Sequence, residues 1–303
     1  MKRLTIFAHY DRDDIVDDYV IHYLEELSKV SDDIIFVSVS NISNPTSINR
    51  IVKKIIVREN VGYDFMSWQV GLASIDDLSE YDEVIFCNDS CYGPVYPLIK
   101  VFDEMKHQSV DFWGITDSNQ IAYHLQSYFL VFKKEVFLSD IFNGFLRTIK
   151  VEDSKDKIVE NYEVGLTKLL TKSGFISGSY LNHTRILSSL NNTKIYKDKY
   201  SRIIELLKRS WQSEDTYLKK VVAIKCLFGK YWAKLGDFSL KDNSNIKFVA
   251  WKELLDSKDP FVKVMLLRDN PSNISDLDSC YDYLDRNTDY DIDLIIEHLK
   301  RIK

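Results

Sequence analysis

The sequence predicts an α/β protein: a mostly parallel sheet flanked by helices, followed by a C-terminal helical section. Three observations predict it. Short, largely apolar runs recur through the first half of the chain, as expected of strands buried on both faces. Amphipathic helical stripes alternate with them, the order that builds a parallel-type sheet. Polar clusters follow four of the runs directly, where open α/β sheets bind ligands.

The elements follow in order. Leu4 to Ala8 is the first strand, and "HYDRDD" follows it. Val16, Tyr19, Val20, Tyr23, Leu24 and Leu27 then share one helical stripe, with Asp13 and Asp14 near its start, where the helix dipole favours anions. Ile34 to Val39 is a second strand, and Asn41 to Ser47, containing Pro45, is a loop. Ile55 to Val57 is a third strand and Ser67 to Ser74 a helix. Glu83 to Cys87 is the fourth strand, Val95 to Met105 a helix, Phe112 to Ile115 the fifth strand and Tyr128 to Phe132 the sixth. The strand signal fades after about Gly178. This divides the chain into a sheet domain over 1–180 and a helical section over 181–303 packed on it.

Composition bounds the function. A chain of 303 residues can bury a substantial core, and its net charge of −6 argues against a general nucleic-acid binder. The four cysteines form no C-x-x-C pair, which excludes a zinc ribbon or a thioredoxin-like site and suits a reducing cytoplasm. No apolar stretch is long enough to span a bilayer, and no secretory signal is evident. The dinucleotide and P-loop glycine patterns are missing, as is G-x-S-x-G.

The candidate site residues sit just after the strands. They are His9-Tyr10-Asp11, then Arg58 to Asp64, Asn88-Asp89-Ser90 and Thr116-Asp117-Ser118. Four such clusters in register imply one lined cleft. Asp89 has two readings that stay open: an oxygen ligand for Mg²⁺ or Mn²⁺ against a diphosphate, or a side-chain cap of the next turn. His124, Gln126 and Ser127 precede an apolar strand. Glu163 stands near the start of a helical run, as a dipole partner or as a general base facing the cleft. The acidic run Asp285, Asn287, Asp289, Asp291 and Asp293 imitates a calcium loop. Tyr290 and Ile296 occupy the positions that need Gly and Glu, so it reads as a solvated acidic face. Lys219 to Lys234 is a basic amphipathic segment, either a packed helix or a peripheral contact with an anionic membrane.

The strings "NVGYDF" (Asn60 to Phe65), "NDSCYGP" (Asn88 to Pro94), "DFWGITDS" (Asp111 to Ser118), "HLQSYFLVF" (His124 to Phe132) and "NYEVGLT" (Asn161 to Thr167), with the tail from Trp251 to Pro271, resemble the rhamnan synthesis F family. These are bacterial glycosyltransferases of cell-wall, capsule and O-antigen polysaccharide assembly. The resemblance implies a GT-A-type, Rossmann-like nucleotide-sugar fold and an inverting transferase, with L-rhamnose from a dTDP donor as the leading substrate and a UDP-sugar as the other. The acceptor would be a lipid-linked or growing glycan, met at the inner face of the cell membrane. It places His9, Tyr10 and Asp11 at the base or ribose, and Asn60, Gly62 and Asp64 at the nucleotide and donor sugar. It places Asn88, Asp89 and Ser90 where such enzymes carry Asp-x-Asp. Here the first acid is replaced by Cys87, which leaves Asp89 as metal ligand or donor-sugar contact. Glu163 becomes the candidate base and Asp117 the runner-up. Arg58, Lys263 and Arg268 become candidate diphosphate partners. A non-catalytic binding module of a glycan-assembly complex is the alternative.

Overall fold

The structure, a computed structural model, describes residues 1–152, 154–190 and 245–303. Strand β1 (Arg3–His9) lies near the middle of an eight-stranded sheet. β2 (Asp33–Ser38) and β4 (Glu83–Asn88) flank it in parallel, and β3 (Lys54–Val57) pairs in parallel with β2. Beyond β4 come β8 (Phe129–Lys133) and β6 (Phe112–Ser118), followed by β9 (Ser177–Leu181) in parallel with β6. The short β7 (His124–Leu125) pairs with the end of β6.

β8 runs antiparallel to both β4 and β6. The connection explains this. Only a short link containing β7 joins β6 to β8, and a parallel return would need a crossover of a dozen or more residues. The antiparallel strand therefore sits inside a mostly parallel sheet, with the short β7 antiparallel to β6 at its edge.

The continuous apolar runs have a simple cause. In β4, Val84 and Phe86 face one apolar layer while Ile85 and Cys87 face the other. α1 (Asp18–Ser28) and α3 (Leu98–Lys106) cover the second layer; α2 (Tyr63–Ala73), α5 (Asp140–Thr148) and α7 (Gly165–Lys172) cover the first. Trp68 of α2 is fully buried, stacks on Phe86 at 5.2 Å and donates its indole N–H to the Cys87 carbonyl at 2.9 Å. Burying each such aromatic side chain contributes roughly 1.5–3 kcal/mol. Trp251, Phe261, Leu284 and Ile295 of the C-terminal section join α1 and α3 in the same apolar cluster.

Several boundaries differ from expectation. α1 begins at Asp18, so Asp13 and Asp14 belong to the preceding loop. α2 begins at Tyr63 rather than Ser67, because Gly62 and Tyr63 turn the chain through left-handed φ angles of 73° and 53°. Strand structure does not end at Gly178: β9 runs to Leu181, and β10 (Val262–Lys263) pairs antiparallel with β5 (Cys91–Tyr92). Glu163 is not at a helix start. Helical structure runs from α6 (Lys155–Ile158) through a π-helical turn, Val159–Val164, into α7, and Glu163 lies on that turn. The segment Lys219 to Lys234 lies outside the described residues. The acidic run near the C-terminus is solvent-exposed at Asp285, Asn287, Asp289, Asp291 and Asp293.

Candidate functional site

The carboxyl ends of β1, β3 and β4 meet at one rim. Asn88 at the end of β4 donates its amide to Asp64 in the first turn of α2 at 2.7 Å. Asp89 accepts the backbone N–H of Tyr10 at 2.7 Å, which ties the β1 exit to the β4 exit. Tyr19 of α1 donates its hydroxyl to the Asp89 carbonyl at 3.0 Å. Ser90 donates its hydroxyl to the side-chain amide oxygen of Asn88 at 2.6 Å and accepts from the Lys263 ammonium at 2.9 Å. Asp64, Asp89, Ser90 and Lys263 are all half-buried, so the rim is reachable from solvent.

Burial, reinforced by the nearby carboxylates of Asp64 and Asp11, pushes the Asp89 carboxyl well above its usual range against the opposing hydrogen bonds from the Tyr10 N–H and its own N–H. His9 is buried, its Nδ1 lies 3.0 Å from the Ser38 hydroxyl, and burial pulls its imidazole down to about 4. The folded protein therefore holds His9 neutral, while the unfolded chain protonates it below about 6.5. This contribution to stability is complete above the unfolded value and is lost as pH falls from about 6.5 towards 4, a change on the order of 3 kcal/mol. Asp89 acts in the opposite sense, because a raised carboxyl loses stability as pH rises. A difference measurement separates the two. His9→Gln is expected to flatten the acid side of the stability curve, read by urea unfolding across that window. An unchanged acid side would remove His9 as its source.

Three residues expected at the site have other work. Arg58 directs its guanidinium at Ser67 and at the carbonyls of Glu59, Val61 and Tyr63, so it shapes the β3–α2 loop rather than offering donors to a diphosphate. Gln126 is buried, accepts from Thr116 at 2.7 Å and donates to Asn245 at 3.1 Å. His124 is buried with its Nδ1 2.8 Å from the Ala122 carbonyl. Gly62 is buried within the loop, and a Cβ there would meet Met66 at 2.5 Å. Asn60 and Tyr10 stand exposed.

The two candidate bases part company. Asp117 is buried and accepts from Ser179 at 3.1 Å, from Asn182 at 2.9 Å and from the His183 N–H. It thereby fastens β6 to the turn that opens α8 (His183–Ser189). Glu163 is half-buried, and one of its oxygens accepts the Ser127 N–H at 2.7 Å. Ser127 adjoins Tyr128, whose ring lies 4.4 Å beneath the Lys263 ammonium.

The residues at the β4 exit fit a divalent ion poorly. Mg²⁺ and Mn²⁺ require several oxygen ligands. Cys87, at the place of the first acid, is buried in the core, and burial raises its thiol well above the ordinary value. The Asn88 carboxamide is committed to Asp64 and Ser90, and one Asp89 oxygen to Tyr10. A cluster of two carboxylates and an imidazole with metal-like spacing, Asp11, Asp17 and His298, is gripped instead by Arg301, whose guanidinium reaches Asp11, Asp13 and Asp17. Asp11 is thus an ion-pair anchor for α13 (Asp293–Ile302).

A cavity of about 740 Å³ lies away from this rim, between α1, α3 and the end of α12 (Ser279–Asn287), with His22, Tyr96, Lys258 and Tyr290 among its walls. None of the candidate residues at the strand exits lines it. The strand-exit rim carries the stronger case, because open α/β sheets bind ligands at their carboxyl edges. Sequence reasoning missed Tyr19, Tyr128 and Arg301. The first two sit in apolar stripes and read as core; Arg301 is brought to Asp11 only by tertiary folding.

Polar groups gathered at the carboxyl edge of an open α/β sheet stand where sheets of this class bind their ligands. The chain belongs to the rhamnan synthesis protein F family, whose sequence model matches residues 34–209. It is 28% identical over 282 residues to the virulence protein VirA of Vibrio anguillarum, covering 91% of this chain and 83% of that one. Among solved structures it is similar to 4-diphosphocytidyl-2C-methyl-D-erythritol synthase of Anaerococcus prevotii (12% identity, TM-score 0.38, 60% of this chain and 89% of that). A CMP:2-keto-3-deoxy-manno-octonic acid synthetase is similar at 7% identity and TM-score 0.37, over 60% and 90% of the two chains. Among the described residues no helix is long and apolar enough to cross a membrane.

Proposed function

We propose that this chain is an inverting glycosyltransferase of polysaccharide assembly. It takes a sugar from a nucleoside-diphosphate donor, with dTDP-L-rhamnose first among the candidates and UDP-sugars next, and passes it to a lipid-linked or growing glycan. The observation that supports this reading is the joining of three strand exits by two hydrogen bonds, Asn88 to Asp64 and Tyr10 to Asp89. They leave two carboxylates at a half-buried rim, where a sugar's hydroxyls can be gripped. Family membership points the same way.

The chemistry follows from the reaction's needs. The acceptor hydroxyl attacks the anomeric carbon from the face opposite the leaving group. The bond from that carbon to the diphosphate oxygen breaks with its electron pair going to the diphosphate. The hydroxyl proton passes to a base, for which Glu163 is the candidate. Asp64 and Asp89 orient the donor sugar.

A panel of sugar nucleotides, assayed for transfer and for slow hydrolysis, tests the reading. At least one donor is expected to turn over, and Asp89→Asn is expected to slow it by about a hundredfold or more. The replacement amide oxygen still accepts from Tyr10, so folding is spared. Nucleotide binding without any turnover would favour the non-catalytic module, for which the core-buried Cys87 speaks. Neither binding nor turnover would sink both.

A further inference from the structure

We propose that the C-terminal section completes the donor site, and that Lys263 supplies the positive charge that holds the donor's diphosphate and stabilises it as it leaves, without a divalent metal. This deepens the transferase reading and rests on it.

Ser90 and Lys263 are 173 positions apart in sequence, and their meeting is built rather than incidental. β10 pairs with β5, matching Lys263 to Cys91 and Val262 to Tyr92. Val264 donates its N–H to the Ser90 carbonyl at 3.0 Å, and Val95 donates to the Pro260 carbonyl at 2.8 Å. Gly93 makes the close approach possible. It has φ 127°, and a Cβ there would lie 2.3 Å from the Pro260 carbonyl oxygen. The arm is fixed from behind as well. The buried Lys247 ammonium bonds Asp259 at 2.7 Å and the Phe261 carbonyl at 2.6 Å. Lys263 is thus delivered to the β4 exit by a braced strand pair.

The cations near the rim differ in what they have left to offer. Arg58 is bound to its own loop. Arg268 is locked to its neighbour Asp269 by two hydrogen bonds. Lys247 is buried against Asp259. Lys263 is half-buried, rests on the Tyr128 ring at 4.4 Å and, among the described residues, has a hydroxyl rather than a carboxylate as its partner, with no backbone carbonyl holding it. A lysine ammonium is a compact point charge with three donors, suited to phosphate oxygens. Preorganised charge of this kind acts where negative charge develops in the transition state. The slot that would hold a metal is instead closed by a thiol turned into the core and an amide already bonded on both sides. In the step, the sugar–diphosphate bond breaks, its electrons go to the diphosphate oxygen, and Lys263 stays protonated as counter-charge. The acceptor's proton goes to the base, not to Lys263.

The test is calorimetric titration of the full chain with UDP and with dTDP, in EDTA and again with Mn²⁺. At least one nucleotide is expected to bind in EDTA with an affinity that Mn²⁺ changes less than twofold or so. Lys263→Ala is expected to weaken it about ten- to a hundredfold, and Lys263→Arg to recover most of the loss. Lys300→Ala, the same loss of charge on an exposed face of α13, is the control and should bind as wild type. Melting curves of each variant check that the β5–β10 pair survives, and Lys263→Met keeps the stem over Tyr128 if alanine does not fold. Binding that requires Mn²⁺, or that is indifferent to Lys263, overturns this inference and leaves the transferase reading standing. Failure of both nucleotides in both buffers takes down the two together.

Discussion

Asp259→Ala is expected to destabilise the protein by about 3–5 kcal/mol, the range for removing one partner of a buried ion pair. Lys247 and Asp259 are almost wholly sealed from solvent, and the ammonium meets the carboxylate at 2.7 Å with the Tyr128 ring 5.1 Å away. Removing the carboxylate leaves an ammonium with one carbonyl and one ring for company. It also removes the acceptor of the Phe261 N–H at 3.0 Å. Attraction alone is a poor account of why such a pair exists, since desolvation consumes most of it. Its geometry is more informative: both groups brace the short run from Asp259 to Phe261 that leads into β10. Asp259→Asn should therefore lose less than alanine, because an amide oxygen still serves Phe261. A Lys247→Met, Asp259→Leu double replacement should regain much of the stability. Urea unfolding measures all three. An alanine variant within 1 kcal/mol or so of wild type would mean that the pair braces nothing. If the brace matters to the site, Asp259→Asn should also weaken nucleotide binding while the sheet stays folded.

Much of the sheet was legible because its strands are buried on both faces and so read as largely apolar runs, broken only by an occasional polar residue such as Thr5 or Glu83. Leu4 to Ala8 and Glu83 to Cys87 were found on that basis and stand as β1 and β4. The two-residue strands β5, β7 and β10 were not found, because no periodicity can be read from two residues. The orientation of β8 was hidden too: an apolar strand reads the same in either direction, and its direction is set by the length of the link to β6. At the site, the clusters after β1, β3 and β4 stood out as polarity in the wrong place for a core. What polarity could not reveal was how each donor is used. Arg58 looks like a phosphate ligand in sequence, and only the fold shows its guanidinium turned back on the carbonyls of Val61 and Tyr63. Lys263 and Arg268 look alike in the chain. They differ because one neighbour is Ser90, supplied by the link between β4 and β5, and the other is Asp269, the next residue along.

Glu163→Gln is expected to lower kcat for transfer by about a hundred- to ten-thousandfold with little change in KM or in nucleotide affinity. The reason for choosing glutamine lies in the hydrogen bond to Ser127. That bond uses Glu163 as an acceptor through one oxygen, and a glutamine oxygen accepts equally well. The substitution therefore removes proton acceptance and leaves the tie to the β7–β8 link in place. Glu163→Ala removes both, and should add a stability loss of about 1–2 kcal/mol from the orphaned N–H. The two variants separate the two roles. A Glu163 that merely tethers Ser127 would leave Glu163→Gln close to wild type in turnover and confine the damage to alanine. A base would make both variants slow and only one of them less stable. The π-helical turn adds weight to the second outcome. Such turns are rare and recur at functional sites, because the extra residue re-aims a side chain without ending the helix. Here the turn spans Val159–Val164, and the side chain it carries to the β7–β8 link is Glu163.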